Sequence, residues 1–205
     1  MIYVNGDSYS ERSSLGGAWS DYLGQESHNN AKAGSSNDRI IRTTIEDILQ
    51  LGPGNIEKVI IGFSFFMREE VWWDNELVTL DQLRDKREAR DLTVDKMIDL
   101  NINHQTVHHY TYIWMLANTL ENLGLDYLFF SAADNEDYKM LDWDSLKSLQ
   151  IYKDINENKR IINLHSFNIK YFGQDNNCNL TPTYHFADLD GHKKFGEFLV
   201  ENYLC

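Results

Sequence analysis

Met1-Ile2-Tyr3-Val4-Asn5-Gly6-Asp7-Ser8 opens the chain and reads as an apolar strand that runs straight into a glycine-containing loop carrying a serine. In an open α/β sheet, ligands bind in the crevice at the carboxyl ends of the strands. A loop serine there can project its hydroxyl, and the glycine before it removes side-chain bulk. Working outward, apolar runs of strand length recur between segments of helical periodicity, which is the pattern of an α/β sheet with parallel strands. Lys58-Val59-Ile60-Ile61-Gly62-Phe63 is continuously apolar after its lysine, as a strand covered on both faces requires. Tyr127-Leu128-Phe129-Phe130, Ile161-Ile162-Asn163-Leu164 and residues 27–31 read as further strands. Ile40, Ile41, Thr44, Ile45, Ile48 and Leu49 follow an i, i+3, i+4 rhythm that predicts a helix over 39–51, stopped by Gly52-Pro53-Gly54. Other helices are predicted near 18–23, over 106–123, around 143–150 and over 191–203. From 70 to 103 charges dominate, which predicts an insertion or lid over the site with Leu77-Val78-Thr79-Leu80 as a hairpin arm or lid edge.

A chain of 205 residues with 42% hydrophobic content supports one sizeable core and is short for two, so residues 1–205 read as a single domain bearing that insertion. Its 32 Asp and Glu against 19 Lys and Arg argue against nucleic acid, because phosphate would be repelled at long range. Cys178 and Cys205 cannot build a disulfide framework, which is consistent with a reducing compartment or with no redox role. No stretch approaches the roughly 18 consecutive apolar residues of a membrane span. The first residues also lack a basic segment followed by an apolar one. The expectation is therefore a protein made in the cytosol with no membrane partner; a place in a particle such as a virion would come by assembly.

A serine hydroxyl is a weak nucleophile until a base removes its proton, and the carbonyl it attacks needs donors for the developing oxyanion. The chain offers candidates for each part in four blocks: Gly6-Asp7-Ser8, Ala33-Gly34-Ser35-Ser36-Asn37-Asp38-Arg39-Ile40, Ile60-Ile61-Gly62-Phe63-Ser64, and His185-Phe186 followed by Gly191-His192. In this order and at these spacings the blocks resemble those of the SGNH (GDSL-type) hydrolase family over nearly the whole chain. The second block and the variant third block are similar to SGNH-like proteins encoded by bacteriophages and some bacteria. The resemblance implies a three-layer α/β/α sandwich with about five parallel strands in flavodoxin-like order. It also implies metal-independent, cofactor-free hydrolysis of a small acyl ester, with acetyl on a carbohydrate as the expected substrate. Ser8 would form the acyl-enzyme and His185 would be the base.

By the same resemblance the oxyanion is held by the Ser8 amide, the Gly34 amide and a third-block asparagine side chain. Here that position is Ser64, whose reach is shorter, and Asn37 is an alternative source of a carboxamide. The family's acid lies three residues before its histidine, where this chain has Pro182; the same count from His192 finds Leu189. Asp188, Asp190 or a backbone carbonyl are the substitutes, and His192 is the alternative base. Blander readings stand beside these. Asp7 or Ser8 would cap an ordinary turn, Gly34 would be a turn residue and Asn37 a helix N-cap. Asp7, Arg68 and Trp72 are candidates for binding substrate, since arginine clamps carboxylates or sugar oxygens and indoles stack on sugar faces; alternatively the tryptophans are core and Arg68 pairs with Glu69, Asp7 or Asp38. His104 and His108 have i, i+4 spacing but lack the glutamate pattern and third ligand of a zinc site. Two rival functions remain: a binding or particle-structural module that keeps the fold without turnover, and a nucleotide-binding protein. Against the second, no glycine-rich phosphate loop follows the first strand.

Overall fold

The computed structural model describes residues 1–14, 16–66, 68, 70–73, 76–79, 102–133, 143–162, 164 and 167–204. Its strands are β1 (Ile2–Gly6), β2 (Ser27–Asn29), β3 (Lys58–Phe63), β4 (Glu70–Trp73), β5 (Glu76–Thr79) and β6 (Asp126–Ser131). Four of them form a parallel sheet in the order β2-β1-β3-β6, with Val4 opposite Ile60 and Ile60 opposite Leu128. Of the expected fifth strand at 161–164, the described residues show one parallel bridge, between Phe129 and Ile161. A local turn enters here, the Ile161 amide donating to the Asn158 carbonyl at 2.9 Å, and among the described residues the ladder bonds are Phe129 N–H to Arg160 and Ile162 N–H to Phe129. β4 and β5 pair antiparallel as a separate hairpin, so Leu77-Val78-Thr79 is a hairpin arm. The rest of the expected insertion, 80–101, lies outside the described residues.

The helices are α1 (Asn37–Leu51), α2 (Ile102–Asn122), α3 (Trp143–Ser148), α4 (Gln150–Glu157), α5 (Ile169–Asp175) and α6 (Leu189–Leu199). Side chains alternate across each strand, so the sheet buries two apolar faces. Tyr3, Val59, Ile61, Phe63 and Phe129 pack on Ile40 and Ile48 of α1, Tyr110, Ile113 and Leu120 of α2, and Ile155 of α4. On the opposite face Ile2, Val4, Ile60, Leu128 and Phe130 meet Trp19, Phe172 of α5, and Phe195 and Leu199 of α6. The result is three layers, helices on either side of a parallel sheet. No helix of the described residues is long and apolar enough to cross a membrane.

Several boundaries differ from the periodicity reading. The segment at 18–23 is a 3-10 turn over Trp19–Tyr22 rather than an α-helix, and the helix expected at 143–150 breaks into α3 and α4 around Leu149. α6 begins two residues earlier than expected because the Asp188 side chain accepts from the Gly191 amide and caps it. α5 was not foreseen; it is seven residues long, and Asn168 before it is the N-cap, its side chain accepting from the Tyr171 amide.

Candidate functional site

β1 ends at Gly6, and the chain then curls. The Asp7 carbonyl accepts from Ser10 and Glu11 at 3.0 and 2.9 Å, while the Asp7 carboxylate accepts from the Tyr9 amide at 3.1 Å. Two glycines make room for the curl. Gly6 and Gly62 are opposite one another in the sheet, and a Cβ on either would lie 2.7 Å from Ser10 Oγ. Ser8 is left partly exposed at the turn.

His185 comes from a second, tighter loop over residues 179–187. Leu180 and Phe186 form an antiparallel bridge, and the Thr181 amide donates to His185 and the Ala187 amide to Asn179. Thr181-Pro182-Thr183-Tyr184 is the turn, closed by Tyr184 N–H to the Thr181 carbonyl at 2.9 Å, with proline at its favoured second position. Pro182, three residues before His185 where the sequence resemblance led to the expectation of an acid, builds this turn instead. Phe186 is buried against Phe172 and Phe195, which anchors the loop while His185 stays half-exposed beside it.

The two loops meet at Ser8 Oγ and His185 Nε2, 2.8 Å apart. The Tyr9 ring stacks on the imidazole with centroids 4.2 Å apart and planes 4° from parallel, and its hydroxyl donates to the Thr183 carbonyl at 3.1 Å. On the other side of the ring, Nδ1 lies 3.0 Å from Thr183 Oγ1. Thr183 Oγ1 is in turn 3.1 Å from Thr181 Oγ1, which accepts the His185 amide at 3.1 Å. Burial lowers the His185 pKa from its ordinary 6.5, against an upward pull from Asp7 and the Thr183 carbonyl and with a further downward push from Arg68. A neutral imidazole facing a serine hydroxyl is an arrangement that can make an oxygen nucleophile and pass its proton to a leaving group.

A buried polar layer supports this pair. Asp7 is fully buried; its Oδ2 accepts from Ser64 Oγ at 2.7 Å and from Arg68 Nη1 at 3.1 Å, and Arg68 also donates to Ser64 Oγ at 2.8 Å. Burial pushes the Asp7 carboxyl up, and Ser64, the Tyr9 amide, Arg68 and His185 pull it back. Asn37 clamps the third-block backbone, its Oδ1 accepting the Ser64 amide at 2.7 Å and its Nδ2 donating to the Ser64 carbonyl at 3.2 Å. Asn37 is not the N-cap of α1, since Ser36 takes that role through a 3.1 Å bond from the Arg39 amide.

These contacts sort the candidates. Ser64 is corrected as an oxyanion donor, because its single hydroxyl proton is given to Asp7. His192 is corrected as alternative base: it is buried edge-on to Phe186, among the described residues its Nδ1 has no hydrogen-bond partner, and Ser8 bonds to His185 instead. Neither acid candidate meets the imidazole, since Asp188 caps α6 and Asp190 pairs with Lys194 at 2.9 Å. Arg68 is engaged with Asp7, the blander of its two readings, and the Trp72 side chain lies outside the described residues. Gly34 has φ 76°, a conformation glycine adopts without strain. Among the described residues the amides of Ser8 and Gly34 meet no acceptor, and one Nδ2 proton of Asn37 is likewise unclaimed. His109 is buried with Nε2 against the Phe66 carbonyl, and among the described residues no three His, Cys, Asp or Glu side chains converge as a metal site. Sequence reasoning missed Thr181, Thr183 and Tyr9. Tyr9 adjoins the serine, and a Thr-Pro-Thr turn two residues before a histidine was the available signal for the other two.

No protein-family model matches the sequence, and no curated protein matches it. The fold is similar to that of a solved acetyl xylan esterase, AlAXEase, with a TM-score of 0.52 at 11% identity over 99% of this chain and 100% of that one. At this identity the likeness is one of fold.

Proposed function

We propose that the protein is a serine ester hydrolase that removes a small acyl group, acetyl in the first instance, from a carbohydrate ester. The observation that carries this reading is the 2.8 Å contact between Ser8 Oγ and His185 Nε2 at the carboxyl end of β1. Ser8 attacks the acyl carbon as Nε2 accepts its proton. The same nitrogen returns the proton to the departing alcohol, and water activated by His185 then cleaves the acyl-enzyme. The oxyanion is held by the amides of Ser8 and Gly34 and the unclaimed Asn37 proton, a role supported by their lack of other acceptors among the described residues. Nucleophile, base and donors all come from the chain, so the reaction needs no metal or cofactor; chelation is expected to leave turnover unchanged. The choice of acetyl on a carbohydrate draws on the fold neighbour, an acetyl xylan esterase.

The test is an activity-based fluorophosphonate together with acetate release from acetylated xylo-oligosaccharides and a chromogenic acetyl ester. Labelling at Ser8, and its loss with turnover in Ser8→Ala at unchanged melting temperature, is the expected result. A folded wild-type chain that neither labels nor releases acetate would overturn the hydrolase reading and leave a binding module of the same fold.

A further inference from the structure

We propose that Thr183 stands in for the missing acid as a positioning residue, its hydroxyl holding the Nδ1 side of His185 so that Nε2 faces Ser8 unprotonated. The proposal rests on reading Ser8 and His185 as nucleophile and base, and it comes from counting protons. If Nε2 accepts from the Ser8 hydroxyl at 2.8 Å, the proton of a neutral ring sits on Nδ1 and needs an acceptor. Thr183 Oγ1 is that acceptor at 3.0 Å. The Thr183 proton then passes to Thr181 Oγ1 at 3.1 Å, whose second lone pair takes the His185 amide at 3.1 Å. From the ring to Thr181 each donor has an acceptor, and the line closes back on the backbone of His185 itself.

The turn is built to hold this geometry. Tyr184 N–H to Thr181 and Thr181 N–H to His185 fix both threonines relative to the imidazole, and Tyr184 sits at φ 63°, a strained angle for a tyrosine. Tyr9 ties the Thr183 carbonyl to the residue next to Ser8. A hydroxyl differs from a carboxylate in one respect: it selects the tautomer but brings no full negative charge to the imidazolium that forms during attack. Asp7 raises the ring's affinity for a proton, with Arg68 opposing it and His192 the other titratable group coupled to the ring. The geometry assigns orientation, one of the two tasks of an acid in a triad, to Thr183.

The experiment combines nitrogen-15 NMR of the imidazole tautomer, which needs no turnover, with the rate of fluorophosphonate labelling in Thr183→Val and Thr183→Ser. In the wild type His185 is expected as the Nδ1–H tautomer. Thr183→Val is expected to mix in the Nε2–H form and to slow labelling about three- to tenfold, the effect of one exposed hydrogen bond. Thr183→Ser is expected to restore both. An unchanged tautomer and labelling rate in Thr183→Val would overturn the proposal and assign the ring's orientation to the Thr183 carbonyl alone. A wild type that shows the Thr183-dependent tautomer yet never labels supports the positioning role and rejects the hydrolase reading, so the two failures are told apart.

Discussion

At the scale of single residues, the site turns on one fully buried carboxylate beside one half-buried imidazole. Asp7 raises the affinity of His185 for a proton, Arg68 lowers it, and burial lowers it more than either, leaving the ring below its ordinary 6.5. A base works only when deprotonated, so kcat/KM is expected to rise with pH through a midpoint below 6.5 and to be flat above it. The two flanking charges give this limb a signature. Asp7→Asn removes an upward pull and is expected to move the midpoint down, whereas Arg68→Gln removes a downward push and is expected to move it up. Arg68→Gln also leaves Asp7 buried without its cation, which costs about 3–5 kcal/mol of stability when a buried pair is broken. A pH–rate series on a chromogenic acetyl ester reads both shifts; shifts of the same sign would mean that His185 is not the group titrating.

At the scale of elements, the site is the meeting of two loops whose shapes depend on small residues. Gly62 is in register with Gly6 on β3, and a Cβ there would lie 2.7 Å from Ser10 Oγ, 3.1 Å from Phe130 and 3.2 Å from Ala132. Gly62→Ala is expected to cost about 1–3 kcal/mol by overpacking and to displace the loop that carries Ser8. Denaturant unfolding measures the first effect and labelling rate the second, and an unperturbed protein on both counts would show that the loop yields freely. The same comparison shows what periodicity could reveal. β1, β3 and α1 were legible because their apolar residues are buried on the faces that strand and helix geometry dictate. α5 was hidden because seven residues, with Ile169, Phe172 and Gly173 turned inward, make too short a repeat to stand out from the surrounding loop. Ser36 and Asn37 are both good capping residues by type, and only the Ser64 backbone across the sheet decides which one caps and which one clamps. Pro182 was read as a missing acid; the structural content of that position is the turn it starts, which brings Thr183 rather than a carboxylate to the imidazole.

At the scale of the whole molecule, α2 reaches the site from behind. His109 on α2 is buried, bonded through Nε2 to the Phe66 carbonyl just beyond the third block, and stacked on the Phe66 ring. Burial lowers its pKa from 6.5 to about 4. The folded state therefore resists a proton that the unfolded chain accepts, so the stability linked to this group is complete above pH 6.5 and lost as pH falls towards about 4. Integrated over that window the loss is on the order of 3 kcal/mol, a large share of the ~5–15 kcal/mol that holds a typical domain folded. His185 and His192 are also lowered by burial and act in the same direction, whereas Asp7, raised by burial, acts in the opposite one, so the slope of the wild type alone is a mixture. His109→Gln separates the parts, since glutamine keeps a donor for the Phe66 carbonyl but takes up no proton. The variant is expected to lose less stability between pH 6.5 and about 4 than the wild type, by urea unfolding followed in that range. Parallel stability curves for the two proteins would mean that His109 is protonated equally in the folded and unfolded chains, and that its burial against Phe66 does not hold it neutral.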